Sequence, residues 1–152
     1  YMPISAKDTK NLDKLVEGIV PLLSPGPFYY PVESKSDQTE EMMMSELIRE
    51  KILKYTDEEV PHAAFVQVES MKYNKKQKTL DVSAIIVVER STQKQILIGS
   101  QGEKLKRIGT EARKEINKVL DLKIHLEIWI KVKKDWRNKE TDLKLFGYGD
   151  DF

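Results

Sequence analysis

Two glycines separated by two polar residues, Gly99-Ser100-Gln101-Gly102, stand just before the cationic run Lys104, Lys106 and Arg107. Glycine has no Cβ, so a sugar-phosphate chain can approach the main chain closely at either end of such a loop, and the backbone is free to turn tightly there. The apolar spacing that follows predicts a helix, and the free amides and positive dipole end of a helix start favour an anion. These residue types therefore suit capture of a nucleic-acid backbone. Gly99 and Gly102 would admit the strand, and Ser100 and Gln101 would offer amides and side-chain donors. Lys104, Lys106 and Arg107 would attract phosphate, while Ile98 and the apolar face of a neighbouring strand would lie under the bases. Glycine pairs at this spacing also mark ordinary turns, and a helix-turn-helix without a ligand is the plain alternative.

Other chemistries find little support. The sequence has no cysteine, which removes disulfides, thiol catalysis and zinc ribbons, and its two histidines, His62 and His125, fall in different segments. No metal cluster and no catalytic constellation is expected. Apolar runs such as Ala84 to Val88 are far too short to span a bilayer, so a soluble chain is expected. The sequence opens at Tyr1 in mid-pattern and reads as a piece of something longer. Its formal charge of +1 hides a segregation. Met71 to Lys139 carries about +10 and the remainder about −9, the footprint of a nucleic-acid surface or of a solubilising lysine coat.

The elements that would position the loop can be read from periodicity. Leu12, Leu15, Val16 and Ile19 predict a short amphipathic helix capped by Thr9 or Asn11, and Ser24-Pro25-Gly26-Pro27 opens a linker. Met44, Leu47, Ile48, Ile52 and Tyr55 mark one face of a second helix ended by Val60-Pro61, with the Met42-Met43-Met44 cluster filling a core. Alternation predicts strands over Ala64 to Met71 and Leu80 to Val88, joined by a polar turn from Tyr73 to Lys78. Apolar Ile85 and Val87 make the second strand central, or else provide a ligand surface. Ile96, Leu97 and Ile98 precede the loop, and Leu105, Ile108, Ala112, Ile116 and Val119 follow it on one helix face with Gly109 among them. A glycine inside a helix is costly, so close packing against another element is expected there. A third strand runs from Leu122 to Val132, and Trp136, Leu143 and Phe146, with Gly147 as cap, suggest a last helix.

The order from Gln38 is thus helix, strand, strand, short helix, loop, helix, strand, helix, an α+β fold with one sheet backed by helices. It resembles the type II KH domain, whose GXXG loop holds about four nucleotides of a single strand. The residues Ser45-Glu46-Leu47-Ile48-Arg49-Glu50-Lys51-Ile52, Val87-Val88-Glu89-Arg90, Ile98 to Gly102 and Ile108-Gly109-Thr110-Glu111-Ala112-Arg113-Lys114 carry the likeness further. With His125 to Lys133 and Leu145-Phe146-Gly147-Tyr148, they resemble the C-terminal part of the Era family of ribosome-assembly GTPases over nearly the whole chain. The resemblance implies a three-stranded mixed sheet backed by helices and preceded by a remnant of an α/β G domain. That remnant would occupy residues 1–23, the linker 24–37, and the KH domain with its C-terminal helix 38–152. Ile4-Ser5-Ala6-Lys7 is similar to the last guanine-contacting motif of small GTPases, which makes Ser5, Ala6 and Lys7 a guanine-contacting remnant.

The sequence has no G-x-x-x-x-G-K-[ST] phosphate loop and no magnesium-binding aspartate motif, so the chain should not hydrolyse GTP and should carry no cofactor of its own. GTP and magnesium would belong to the parent protein. The implied partners are the 3′ end of small-subunit ribosomal RNA and the small ribosomal subunit, with peripheral association at the inner membrane. The implied location is the cytoplasm, with an organelle matrix or stroma as the alternative. The rival function is a KH-like protein-interaction or structural module of a ribosomal or transcription factor.

Overall fold

The strand alternation and the three-and-four helix spacing meet in one layer of sheet under one layer of helix. The computed structural model describes residues 1–31, 38–57 and 59–145, without the side chains of 143–145, and the chain divides into two units, Tyr1–Asp37 and Gln38–Phe152. In the second unit, helix α2 (Glu40–Tyr55) starts at Thr39, whose side chain accepts the Met42 N–H at 3.2 Å, with Glu40 and Glu41 complementing the dipole. It stops at Thr56, whose backbone N–H reaches the Ile52 carbonyl at 3.0 Å. Val60-Pro61 therefore does not end this helix as expected. It opens a separate turn, α3 (Val60–Ala63), where proline suits the first helical positions.

Strands β1 (Phe65–Asn74) and β2 (Thr79–Val88) form an antiparallel hairpin, and β3 (Ile124–Val132) lies parallel to β2, giving the order β1-β2-β3. The register shifts between Val68 and Ser70, so the inward set passes from Val66 and Val68 to Met71. β1 runs past its expected end at Met71 to Asn74, because Lys72, Tyr73 and Asn74 still pair with Asp81, Leu80 and Thr79. Parallel pairing of β2 with β3 needs a crossover, and helices α4 (Ser91–Ile98) and α5 (Glu103–Leu120) supply it. The glycine loop is the hinge between those two helices.

The core joins Met44, Ile48 and Ile52 of α2 to Ile108, Ala112 and Ile116 of α5 over Val82, Ala84, Ile86 and Val88 of β2. Each large apolar side chain buried here is worth about 1.5–3 kcal/mol. Lys51, almost fully buried, bridges the helices by pairing with Glu115 and, at 2.8 Å, with Glu50. Those carboxylates hold its ammonium above the usual lysine range.

Several expectations need correction. Of the methionine cluster only Met44 is core, Met42 being exposed. Val119 is 52% exposed, because the buried stripe of α5 has rotated past it by the last turn and Leu120 packs instead. Before the loop only Leu97 is fully buried, and Ile96 is exposed. Trp136 does not belong to the last helix. It sits in a 3-10 turn, Trp136–Asn138, with its ring centroid 5.8 Å from that of Phe65 and its indole N–H donating to the Ala63 carbonyl at 3.3 Å. Arg137 beside it pairs with Glu89 and holds that carboxyl below the usual range. Helix α6 (Glu140–Leu145) follows, and Phe146, Gly147 and Tyr148 lie outside the described residues.

In the first unit, helix α1 (Leu12–Ile19) runs into a 3-10 turn, Val20–Leu22, that accommodates Pro21. Of the two expected caps Asn11 takes the N-cap position, its carbonyl accepting the Leu15 N–H at 3.2 Å, but its side chain makes no capping bond. Asn11 is in the left-handed region, and its amide donates to the Pro3 carbonyl at 3.0 Å instead. Leu12 and Leu15 are half-buried, whereas Val16 and Ile19 are exposed.

Candidate nucleic-acid interface

The entry to the loop is fixed from below. Gln93, 2% exposed, accepts the backbone N–H groups of Glu89 and Arg90 through its side-chain oxygen, both at 3.0 Å, and so holds the start of α4. Helix α4 closes with the Gly99 N–H on the Gln95 carbonyl at 2.9 Å. The loop does not open straight into the basic helix, as its sequence suggests. Ser100–Gly102 forms one 3-10 turn first, with Gln101 left-handed at φ 50° and ψ 22°.

The two glycines are required for different reasons. Gly99 has φ 71° and ψ −176°, a combination essentially confined to glycine. A Cβ there would stand 2.7 Å from the Lys104 Cβ and 3.2 Å from the Lys104 nitrogen. Gly102, at φ 81° and ψ 7°, needs only the left-handed region, and its Cβ would point into open space. No side chain caps α5, which leaves its first amides and dipole end at the loop.

A groove of about 520 Å³ opens beside Gly102, between α5 and β3. Leu105, Leu126 and Ile128 give it apolar ground, and Lys106 and Arg113 stand one on either side of Gly109 along the α5 wall. Thr110 also lines it, with its hydroxyl already donated to the Lys106 carbonyl at 2.8 Å. The close packing expected at Gly109 is looser than its cost suggests. A Cβ there would meet only the Ile128 Cδ1, at 3.5 Å, an ordinary contact, so the glycine deepens the groove more than it relieves a clash.

The apolar ground is not the β2 face proposed from sequence. β2 is the central strand, Val87 is buried, and its inner residues are covered by helices, so the groove lies one strand over, on the inward side of β3. On the other flank of the loop, Tyr55, Gly99, Ser100, Glu103, Lys104 and Arg107 line a recess of about 270 Å³.

The structure thus divides the residues named from sequence. Ser100 and Gln101 are exposed at the tip, Ile98 is half-buried behind Gly99, and Lys106 faces the groove. Lys104 and Arg107 face the recess, where Arg107 lies 4.4 Å over the Tyr55 ring centroid. Arg113, Leu126, Ile128 and Tyr55 were missed. Arg113 could have been found, since it follows Lys106 by two turns on one helical face; the others depend on which strand and helix pack beside the loop. Neighbouring Lys114 holds the Glu111 carboxyl below its usual range, with Lys54 and Arg107 adding to a positive field. In the first unit, Ser5 accepts the Asp8 N–H at 3.2 Å and donates to its carboxylate at 2.9 Å, while Ala6 and Lys7 are exposed. Among the described residues no group of three or more His, Cys, Asp or Glu could hold a metal ion.

Comparison with known proteins places this geometry among relatives. A family described as KH domain matches residues 59–137, from α3 through β3 to the Trp136 turn. Over 145 residues the chain is 46% identical to GTPase Era of Alkaliphilus oremlandii, a match covering 95% of this chain and 49% of that protein. It superposes with a TM-score of 0.93 and 36% identity on Aquifex aeolicus Era bound to GDP.AlF4-, covering 97% of this chain and 50% of that one. The same score and identity relate it to Era in complex with MgGDPNP and nucleotides 1506-1542 of 16S ribosomal RNA, over 97% of this chain and 49% of that one. The chain spans about half the length of the curated relatives it matches.

Proposed function

The chain belongs to the KH domain family, and on that premise we propose that the unit from Gln38 onward binds single-stranded RNA. The strand's backbone crosses Gly99 to Gly102, and its bases rest on Leu105, Leu126 and Ile128. The observation that carries this reading is the position of the groove. An apolar floor opens directly beside a bare main-chain turn at an uncapped helix start, with Lys106 and Arg113 along one wall. Bases need apolar ground and phosphates need cations and amides, and here both lie within one strand's reach.

The finer reading is the 3′ end of small-subunit ribosomal RNA, bound during assembly of that subunit. Its support is the similar Era structure that holds nucleotides 1506-1542 of 16S ribosomal RNA. The chain is then the RNA-holding half of a GTPase, with GTP and magnesium bound by the other half and Ser5, Ala6 and Lys7 at the edge of the guanine site. Lacking a phosphate loop, this half hydrolyses nothing alone. Its place is the cytoplasm, on the small ribosomal subunit and, by family resemblance, in peripheral contact with the inner membrane.

Filter binding of the terminal ribosomal sequence against a scrambled strand, at several salt concentrations, tests the proposal. The terminal sequence should bind more tightly, with log K falling by about 0.7 per decade of salt for each phosphate neutralised. Equal affinity for both strands would reduce the interaction to charge, and no binding to either would favour a loop that docks protein.

A further inference from the structure

Lys104 and Arg107 turn away from the groove into the recess behind the loop, and that recess has features of its own. Because Gly99 has no Cβ, the Lys104 stem packs under it, within 2.7 Å of where such a Cβ would stand. Arg107 stacks 4.4 Å over the centroid of Tyr55, and the Lys54 ammonium lies 5.4 Å from the same centroid. The ring contact restrains the guanidinium without using its N–H donors, and among the described residues Arg107 forms no salt bridge. A ring already faced by two cations is no platform for a base. Lys104 and Arg107 both line the recess, with Glu103 the one carboxylate in its lining, so the balance of charge there suits an anion.

We propose that this recess is a second phosphate site, which takes a backbone phosphate of a nucleotide beyond those held in the groove. Gly102 lines the groove and Gly99 lines the recess, so the strand wraps over the loop instead of ending on it. The inference rests on the RNA-binding reading of the groove. A strand phosphate fits better than a free anion because the recess opens onto the same loop the strand must cross.

The test compares a tetranucleotide with an octanucleotide of the same core sequence, titrated into the full chain. A GXXG clamp holds about four nucleotides, so the octanucleotide alone reaches the recess. Tyr55→Leu, which removes the ring under Arg107, should leave tetranucleotide affinity unchanged and weaken the octanucleotide roughly fivefold. Arg107→Gln, an exposed change that spares the core, should weaken the octanucleotide by ~10-fold and lower its salt slope by about one phosphate. Lys106→Gln on the groove flank should weaken both RNAs alike. The proposal is overturned if both recess variants weaken the two RNAs by one common factor, or if wild type gains nothing from the longer strand. It is also overturned if the variants keep the octanucleotide gain while inorganic phosphate shifts the Arg107 side-chain NMR signal in wild type, which would assign the recess to a free anion. A tetranucleotide that fails to bind wild type would overturn the groove reading itself.

Discussion

Replacing each loop glycine by alanine should separate the two jobs that Gly99 and Gly102 perform. At Gly99 the backbone sits at φ 71° and ψ −176°, where a residue other than glycine costs about 1–3 kcal/mol. The new methyl would also stand 2.7 Å from the Lys104 Cβ, a stem atom fixed by the first turn of α5, and such overpacking costs a further ~1–3 kcal/mol. Alanine recovers about 0.4–1 kcal/mol by restricting the unfolded chain. The net loss for Gly99→Ala is therefore on the order of 3 kcal/mol. At Gly102, φ 81° and ψ 7° is the left-handed region, costing alanine ~1–2 kcal/mol, and nothing lies within 4 Å of the added methyl. After the same recovery the loss is about 1 kcal/mol or less. Urea unfolding followed by the fluorescence of buried Trp136 reads both. With a slope of about 2 kcal/mol per molar, Gly99→Ala should lower the midpoint by ~1.5 M and Gly102→Ala by ~0.5 M. Gly102→Ala should still weaken RNA binding, because it narrows the mouth of the groove. Equal midpoints for the two variants, or a larger drop at Gly102, would refute the reasoning.

Gly109→Ala should raise stability by about 0.5–1 kcal/mol through helix propensity, since its methyl meets only Ile128 at contact distance, yet lower RNA affinity by shallowing the groove; melting curves and titrations together check the opposed signs. Trp136→Ala should cost ~3–5 kcal/mol, because it removes a buried ring packed on Phe65 and a hydrogen bond to Ala63, and chemical denaturation measures it. The Arg137 guanidinium holds Glu89 below its ordinary value of 4.5, so the pair's contribution is fully present above that pH and is lost as pH falls through the lower folded value. The stability gap between wild type and Glu89→Gln should then be widest near neutral pH and close on acidification. A gap that widened in acid would reverse the sign of that linkage.

Periodicity disclosed most of this fold because its elements bury one face each. The Met44, Ile48 and Ile52 stripe and the strict alternation of Leu80 to Val88 both map onto covered surfaces. What escaped was set by tertiary context. The bulge after Val68 breaks the alternation without a glycine or proline to announce it, and Val119 fits the helical spacing but yields its place to Leu120 because the buried stripe keeps a step of four after Ile116. The loop itself was legible from its glycines. Its floor was not, because β2 and β3 both carry an unbroken apolar inward face, and only the packing of α5 beside β3 decides that Leu126 and Ile128 form the floor. The cations were legible as a charge run but were not sorted into two groups, although Lys104 and Lys106, two residues apart on α5, must face opposite flanks of the helix.

The most direct test of the central claim places two negative charges where the strand should cross. Ser100→Asp with Gln101→Asp puts carboxylates at an exposed tip ahead of a helix start, where the dipole favours them, and aspartate tolerates the left-handed backbone of position 101. The variant should therefore unfold at an unchanged urea midpoint. Its affinity for single-stranded RNA should fall by at least ~100-fold, because each carboxylate would face a phosphate at close range. A folded double variant that binds RNA as tightly as wild type would show that the strand does not pass over this loop.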